Sequence, residues 1–479
     1  MRIFVSIPAV VFLLGLLPLV VPAQSTITPK NSRLAPIRAE LAKKALDKIV
    51  PSISVGLLQN GKIVWRESFG YADVEGKIAA TPETVYALGS LSKSITGTAV
   101  FNLVQDGKID INKPINTYLR SVSIDHHGRD PNGYKVYHLL NMAAGVPHYW
   151  RYCYAESGSL DACADERFAA ASFSAFAPAE THIYSNQSFG LAARMVADVS
   201  GMPFSEYLAS QILRPAGMKS TFTHLNHVPR KSLEIAWPYN SDGARAPELQ
   251  FEPSGGGGFW SSVADLLRYG VLHLPSSNDR KAILKNITLA ENHTVRKDLP
   301  HGYYANGWGV LPLPNNGRTL LSNGAIEGAA STLLVLPEAR AVIVVLVNKT
   351  VGNEFTDDIA FRIADAILPG YKGDLDKLFE QLGPLFDGKP FSTIESLNGV
   401  YNGRIQIGSK HEVVRVDVNE GRISIKIGDS PAKELKNVSI LSGTITGQFQ
   451  DDLSDAKTPR DATVTFRSTG RDLTGFVSI

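Results

Sequence analysis

The stretch Gly89-Ser-Leu-Ser-Lys-Ser-Ile-Thr-Gly97 sets Ser90 and Lys93 three residues apart at a loop-to-helix junction. On a helix, residues i and i+3 share one face, so the hydroxyl and the amine become neighbours. A serine hydroxyl is a weak nucleophile until a base takes its proton, and a lysine is such a base only when uncharged. The segment after Ser90 is apolar, with Ile95, Ala99, Val100 and Leu103. A lysine buried against it is desolvated, which lowers its pKa from ~10.4 toward neutrality. A helix start also supplies free N–H groups and a favourable potential for a developing anion. The chemistry would be nucleophilic attack by Ser90 with Lys93 as base. The spacing also suits an N-cap serine followed by a solvated lysine. S-x-x-K recurs at Ser430–Lys433 and Ser454–Lys457, where nothing nearby suggests chemistry.

Such a pair needs a rigid scaffold. "SISVGLLQNGKIVWRESFGYAD" holds two β-rich runs around Asn60-Gly61, a strong hairpin signal. Far downstream, "STLLVLPEARAVIVVLVN" has the same form around a Pro-Glu-Ala-Arg turn. The two hairpins are expected to join one antiparallel sheet built from distant parts of the chain. Between them, 91–107, 188–200 and 262–274 show apolar 3.6-residue periodicity, and "RLAPIRAELAKKALDK" precedes the first hairpin as a helix. This pattern predicts an α+β fold, an antiparallel sheet flanked by helices with a helical region inserted between its strands. Residues 371–390 read as a linker with a short helix, and 391–479 as a small C-terminal all-β domain of short alternating strands.

The 479 residues are 44% hydrophobic and 20% charged, an ordinary globular balance with a net charge of +2. No basic block or aromatic-basic stripe points to nucleic acid. Met1-Arg2, a long apolar run and small residues at Val21 and Ala23 predict a signal peptide over 1–23. The mature chain is then secreted or periplasmic, with the principal domain over 24–370 and no membrane span after signal cleavage. An uncleaved anchor is the competing reading of the same run. In an oxidising compartment the two cysteines, Cys153 and Cys163, are expected to form a local disulfide. Sequons at Asn286-Ile-Thr288 and Asn437-Val-Ser439 matter only in a host that glycosylates.

"GSLSKSITG" resembles the first motif of the penicillin-recognising serine hydrolases, which include class C β-lactamases, D-Ala-D-Ala peptidases and related esterases. Tyr184-Ser185-Asn186, ahead of a helical run, resembles their second motif, Tyr-x-Asn. "YADVEGKIAATPETVYALGS", "LVQDGKIDINKPINTYL", "SGGGGFWSSVADLLRYG" and "YANGWGV" match the family's usual surroundings, and the likeness covers roughly residues 45–365. The last strand is similar to that of mitochondrial β-lactamase-like proteins. The resemblance implies a β-lactamase/transpeptidase-like sheet, with Ser90 as acylated nucleophile, Lys93 as its base, Tyr184 as proton shuttle and Asn186 orienting substrate. A second Tyr-x-Asn, Tyr304-Ala305-Asn306, has no helix after it.

The third motif departs from the family. Relatives carry Lys or His, any residue, then Gly; here the aligned residues are Ser322-Asn323-Gly324. Gly324 still admits a ligand close to the backbone, and the Ala325 N–H would join that of Ser90 in an oxyanion hole. The cation is replaced by a hydroxyl, unless Arg318 or Lys349 supplies one. "NMAAG" also replaces the usual His-Thr-Ser-Gly, with Met142 and Ala143 at its first two positions. Gly255–Gly258 lacks the Lys-Ser/Thr of a phosphate loop and reads as letting backbone pass near the site before Ser262 caps a helix, with Asp265 completing an S-x-x-D box. His126-His127 and His224/His227 lie in polar loops without metal-ligand spacing and read as surface residues, so no metal or cofactor is implied. Two readings follow. One is an exported serine hydrolase acting through an acyl-enzyme on a small-molecule or peptide ester, amide or β-lactam. The other is a catalytically silent binding or scaffold protein of the same fold. Nothing in the sequence bears on oligomeric state.

Overall fold

A computed structural model describes residues 26–148, 153–154, 172–229, 233–246, 249–250, 254–300, 302–386, 389–390, 398–407, 410–419, 421–441, 444–451, 460–469 and 472–478. The leader and Cys163, and with it the expected disulfide, lie outside them.

Helix α1 (Ala35–Leu46) opens on a proline in its first turn and ends on Lys43 and Lys44, which suit the negative end of its dipole. It leads into strands β1 (Ser52–Gln59) and β2 (Lys62–Asp73), then the short β3 (Ile78–Ala79). The β1–β2 turn places Asn60 and Gly61 at φ of 51° and 75°, the double left-handed geometry that Asn-Gly favours. The chain then enters the helical insert: α2 (Ser92–Gln105), α3 (Val136–Leu140), α4 (Asn186–Ser200) and α5 (Val263–Leu272). It returns as β4 (Tyr304–Ala305), β5 (Trp308–Leu313), β6 (Gly317–Ile326), β7 (Ala329–Leu336) and β8 (Ala341–Val347). Helices α6 (Asn353–Ile367) and α7 (Tyr371–Phe386) follow.

The strands form one antiparallel sheet in the order β3-β2-β1-β8-β7-β6-β5-β4. The two hairpins meet at its centre, where Ile53 of β1 faces Val347 of β8 and Leu57 faces Ile343. The unbroken apolar run of β8 follows from burial on both faces. Val342, Val344 and Leu346 enter a core shared with α2, α4 and α5. Ile343, Val345 and Val347 enter the other, shared with α1, α6 and α7. The expected sheet between helical layers, with a helical insert, is what the chain adopts.

Two local readings need correction. Ser262 does cap α5, its Oγ accepting from the Asp265 N–H at 3.3 Å, but Asp265 does not return the bond. Its carboxylate instead accepts from the Ser220 N–H (2.6 Å) and the Thr221 hydroxyl (2.9 Å), fastening a neighbouring loop. His126 is no surface residue. It is buried, stacks on Tyr134 at 3.9 Å between ring centroids and bonds Ser174, while His127 stays exposed.

Residues 371–386 form the continuous helix α7, whose Tyr371, Leu375 and Leu378 pack onto the sheet. Beyond it come β9 (Lys389–Pro390), β10 (Gly399–Ile407), β11 (Lys410–Asn419), β12 (Arg422–Ile427) and β13 (Lys433–Glu434). The last four are β14 (Lys436–Leu441), β15 (Thr444–Asp451), β16 (Arg460–Thr469) and β17 (Asp472–Ser478). They form two antiparallel sheets, β10-β11-β12-β13 and β9-β14-β15-β16-β17, around a core that includes Val416, Ile425, Phe449 and Phe466. This small all-β region touches the main body where Arg467 donates to the Glu180 carbonyl (3.0 Å) and Thr444 bonds Thr181 (3.1 Å). No helix among the described residues is long and apolar enough to cross a membrane.

Candidate active site

Ser90 lies in a single 3₁₀ turn, Gly89–Leu91, that runs directly into α2. The turn is held by its neighbour: Ser92 donates to the Gly89 carbonyl (2.7 Å) and accepts from the Phe259 N–H (3.1 Å). Ser90 takes no capping role, so its hydroxyl is free for other partners. Helix α2 is buried nearly all round, a pattern of helices threaded through a core rather than laid on one. Lys93 goes in with it and is only 2% exposed, which rules out the solvated-lysine reading.

The Lys93 Nζ stands 3.0 Å from Ser90 Oγ, 2.6 Å from the Gly256 carbonyl and in a short hydrogen bond with Asn186 Oδ1. Burial holds this amine well below the usual lysine range. Among the described residues no carboxylate touches it to offset the desolvation. A neutral amine has two N–H donors and one lone pair. In that neutral form the Asn186 Oδ1 and the Gly256 carbonyl take both donors, which leaves the lone pair for the Ser90 hydroxyl.

Tyr184 and Asn186 bracket the start of α4. Ser185 between them is its N-cap, accepting from the Ser188 N–H (2.9 Å) and donating to the Pro147 carbonyl (2.6 Å). The Tyr184 hydroxyl donates to Ser90 Oγ at 2.5 Å, and its ring lies 4.6 Å from Lys93 Nζ. At 39% exposure Tyr184 is the open side of the cluster. Ser90, Lys93, Tyr184 and Asn186, spread over 97 residue positions from 90 to 186, thus converge on one oxygen and one nitrogen.

Strand β6 passes alongside. A Cβ at Gly324 would lie 2.5 Å from the Ser90 nitrogen, and one at Gly89 would lie 3.2 Å from the Ala325 nitrogen. The absence of both side chains lets the backbone at Ser90 approach that at Ala325 closely. Ser322 is buried and donates to Ser94 Oγ on α2 at 3.0 Å, which in turn donates to the Leu91 carbonyl. The hydroxyl at the third-motif position therefore braces β6 against α2. Lys349 donates its ammonium to the Ile49 carbonyl (3.0 Å), and Arg318 lies four residues up β6 with its charge acting on His293.

Asn323 points to the opposite face and donates to Asp357 of α6 (2.8 Å), whose other oxygen accepts from Thr332 (2.6 Å). Burial, with the nearby Glu354 charge, pushes the Asp357 carboxyl up to about 6 against those two hydrogen bonds. The folded chain then holds a proton that the unfolded chain releases above about pH 4. Stability from this group is present in acid and is lost as pH rises through about 6. In urea melts, wild type minus Asp357→Asn is expected to decline by on the order of 2–3 kcal/mol between about pH 4 and pH 7; a flat difference would contradict it.

In the second Tyr-x-Asn, Tyr304-Ala305-Asn306, the asparagine is buried. Asn306 adopts a left-handed φ of 51°, exchanges bonds with Asn141, and donates to the Asn292 carbonyl (2.9 Å). Its backbone lies against Gly97 of α2. The Gly255–Gly258 run does bring backbone to the site, but sequence reasoning missed that its one-turn helix Ser254–Gly257 would offer the amine a carbonyl, since such acceptors carry no residue signature. It also missed His148, whose Nε2 lies 2.9 Å from Asn186 Nδ2.

Comparison with known proteins agrees with this fold. The Beta-lactamase family model matches residues 38–368. "Protein flp" of Staphylococcus aureus (strain MW2) is 24% identical over 373 residues, covering 75% of this chain and 68% of that protein. "Beta-lactamase" of Escherichia coli (strain K12) is 24% identical over 355 residues, covering 66% of this chain and 89% of that one. Among solved structures, SurE matches with a TM-score of 0.62 at 18% identity, covering 92% of this chain and 95% of its own. The octameric penicillin-binding protein homologue from Pyrococcus abyssi matches with a TM-score of 0.58 at 21% identity, covering 92% and 98%. The two structural likenesses concern the fold alone, and at that coverage they extend past residue 368 into the all-β region. With the family match running over well more than half its length, this chain belongs to the Beta-lactamase family, within the serine hydrolase superfamily.

Proposed function

We propose that the chain is an exported serine hydrolase that forms an acyl-enzyme on Ser90 from an ester or amide substrate. The observation that carries this reading is the desolvated Lys93 amine, 3.0 Å from Ser90 Oγ and held there by Asn186 Oδ1 and the Gly256 carbonyl. In the first step Lys93 takes the Ser90 proton as Oγ bonds to the substrate carbonyl carbon. The carbonyl oxygen becomes an oxyanion held by the Ser90 and Ala325 N–H groups. Tyr184, already hydrogen-bonded to Oγ, gives its proton to the leaving group as the tetrahedral centre collapses, and the Lys93 ammonium restores it. Water then repeats the sequence on the acyl-enzyme, releasing the acid and the free serine. A neutral third motif favours an ester or uncharged amide over a substrate with a free carboxylate.

The test is trapping. A fluorophosphonate probe on the chain from residue 24 onward should label the peptide carrying Ser90, read by mass mapping. A label elsewhere, or none while a control hydrolase is labelled, would favour the silent binding protein.

The oxyanion site can be probed separately. Gly324→Ala drives a methyl group onto the Ser90 nitrogen. Acylation is expected to slow by about 10²–10³-fold, the range for losing one oxyanion donor, with a lower melting temperature. Normal rates would remove the Ser90 N–H from the hole.

A further inference from the structure

His148 lies outside every motif discussed so far, yet its ring touches two of the four clustered residues. Its Nε2 is 2.9 Å from Asn186 Nδ2, and its ring centroid is 5.2 Å from that of Tyr184. The backbone around it is stitched to the start of α4. The Gln187 N–H donates to the His148 carbonyl (3.0 Å), and Ser185 donates to the carbonyl of Pro147 (2.6 Å). The imidazole is therefore fixed to the helix that presents Asn186.

An amide side chain is nearly symmetric in shape, so something must decide which end faces the lysine. With Nδ2 engaged by His148, the oxygen must face Lys93. Turned over, the amide would point N–H groups at the amine and compete with Ser90 for its lone pair. The bond to Asn186 requires Nε2 to be an acceptor, so the ring proton belongs on Nδ1. Desolvation, helped by the positive charge that Lys93 can carry, holds the ring down at about 3, so the acceptor persists at neutral pH. Among the described residues, the Lys93 amine of α2 acts on its charge and the Tyr184 ring before α4 lies beside it.

We propose that His148 is a positioning residue for the acyl-transfer site, holding the Asn186 amide so that its oxygen faces Lys93 and steadying the Tyr184 ring. This rests on the acyl-enzyme reading above. The experiment compares His148→Phe, which keeps a ring without an acceptor, with His148→Gln, which offers an acceptor oxygen on a flexible stem. Saturable fluorophosphonate labelling of Ser90 gives a maximal acylation rate and a half-saturating concentration for each. His148→Phe should lose about 10²-fold in maximal rate, the scale of a small misplacement of a reacting group, with half-saturation unchanged. His148→Gln should recover most of that loss, and imidazole added to His148→Gly should restore part of it. Melting temperatures identify a variant that has not folded; if His148→Phe is one, the Gly variant with and without imidazole decides. Wild-type rates in the Phe or unrescued Gly variant would overturn the proposal, as would Gln and imidazole both failing to rescue a folded, slow variant. If wild type itself never labels at Ser90, the fault lies with the acyl-enzyme reading instead.

Discussion

Ser90→Ala is expected to lower turnover of any ester or amide substrate by about 10⁶-fold, the scale seen when the nucleophile of a serine hydrolase is removed. The size of the effect follows from how the cluster is wired. Lys93 Nζ and the Tyr184 hydroxyl both make their contact at Ser90 Oγ, so deleting one atom disconnects base and proton shuttle together. Residual catalysis would come from binding and the two N–H donors alone. Steady-state hydrolysis and probe labelling check this, and turnover within tenfold of wild type would assign the reaction to another nucleophile. Folding should be little affected, since Ser92, not Ser90, holds the turn.

Lys93→Met is expected to slow acylation by about 10³–10⁴-fold, the upper range for losing a general base. Methionine matches the stem but offers no strong proton acceptor, and it leaves Asn186 Oδ1 and the Gly256 carbonyl without their donor. The pH dependence separates this from simple damage. In wild type the acylation rate should rise with pH through the lowered pKa of Lys93 and then level off; in the variant that limb should vanish. Stability carries the same signature. The unfolded lysine stays protonated up to about 10.4 while the folded one does not. The unfolded state therefore binds more protons between the lowered pKa and about 10.4. Wild-type stability should climb with pH in that window relative to Lys93→Met. An unchanged acid limb in Lys93→Met would remove Lys93 as the base.

Much of this was legible in the chain because the signals were local. Asn60-Gly61 set a turn, the Pro-Glu-Ala-Arg turn marked the second hairpin, and Ser262 marked a helix start. Ser90, Lys93, Tyr184 and Asn186 could be named because their types and spacings are unusual together. What escaped were contacts whose partners are distant and ordinary. Nothing in "GVPHY" says that His148 will meet an amide 38 positions on. Nothing in Ser322 says that its hydroxyl will face Ser94. Asp265 looked like half of a capping box, but a loop at 220–221 offered its carboxylate better donors. His126 looked solvent-facing because its neighbours are polar, and only packing on Tyr134 takes it inside.

The placement of Gly324 against Ser90 joins residues 324 − 90 = 234 positions apart, and β8, still later, must close the sheet beside β1. A ribosome adding about 5–20 residues per second needs roughly 10–50 s to cover that interval. Throughout it, the nascent polypeptide already displays its serine and its amine but lacks the strand that lines the far side of the cleft. On the acyl-enzyme reading, such a chain still lacks the Ala325 donor to the tetrahedral adduct. The hydrolase is thus armed late, once translation has passed the final hairpin, and a truncated product carrying both N-terminal motifs should be inert.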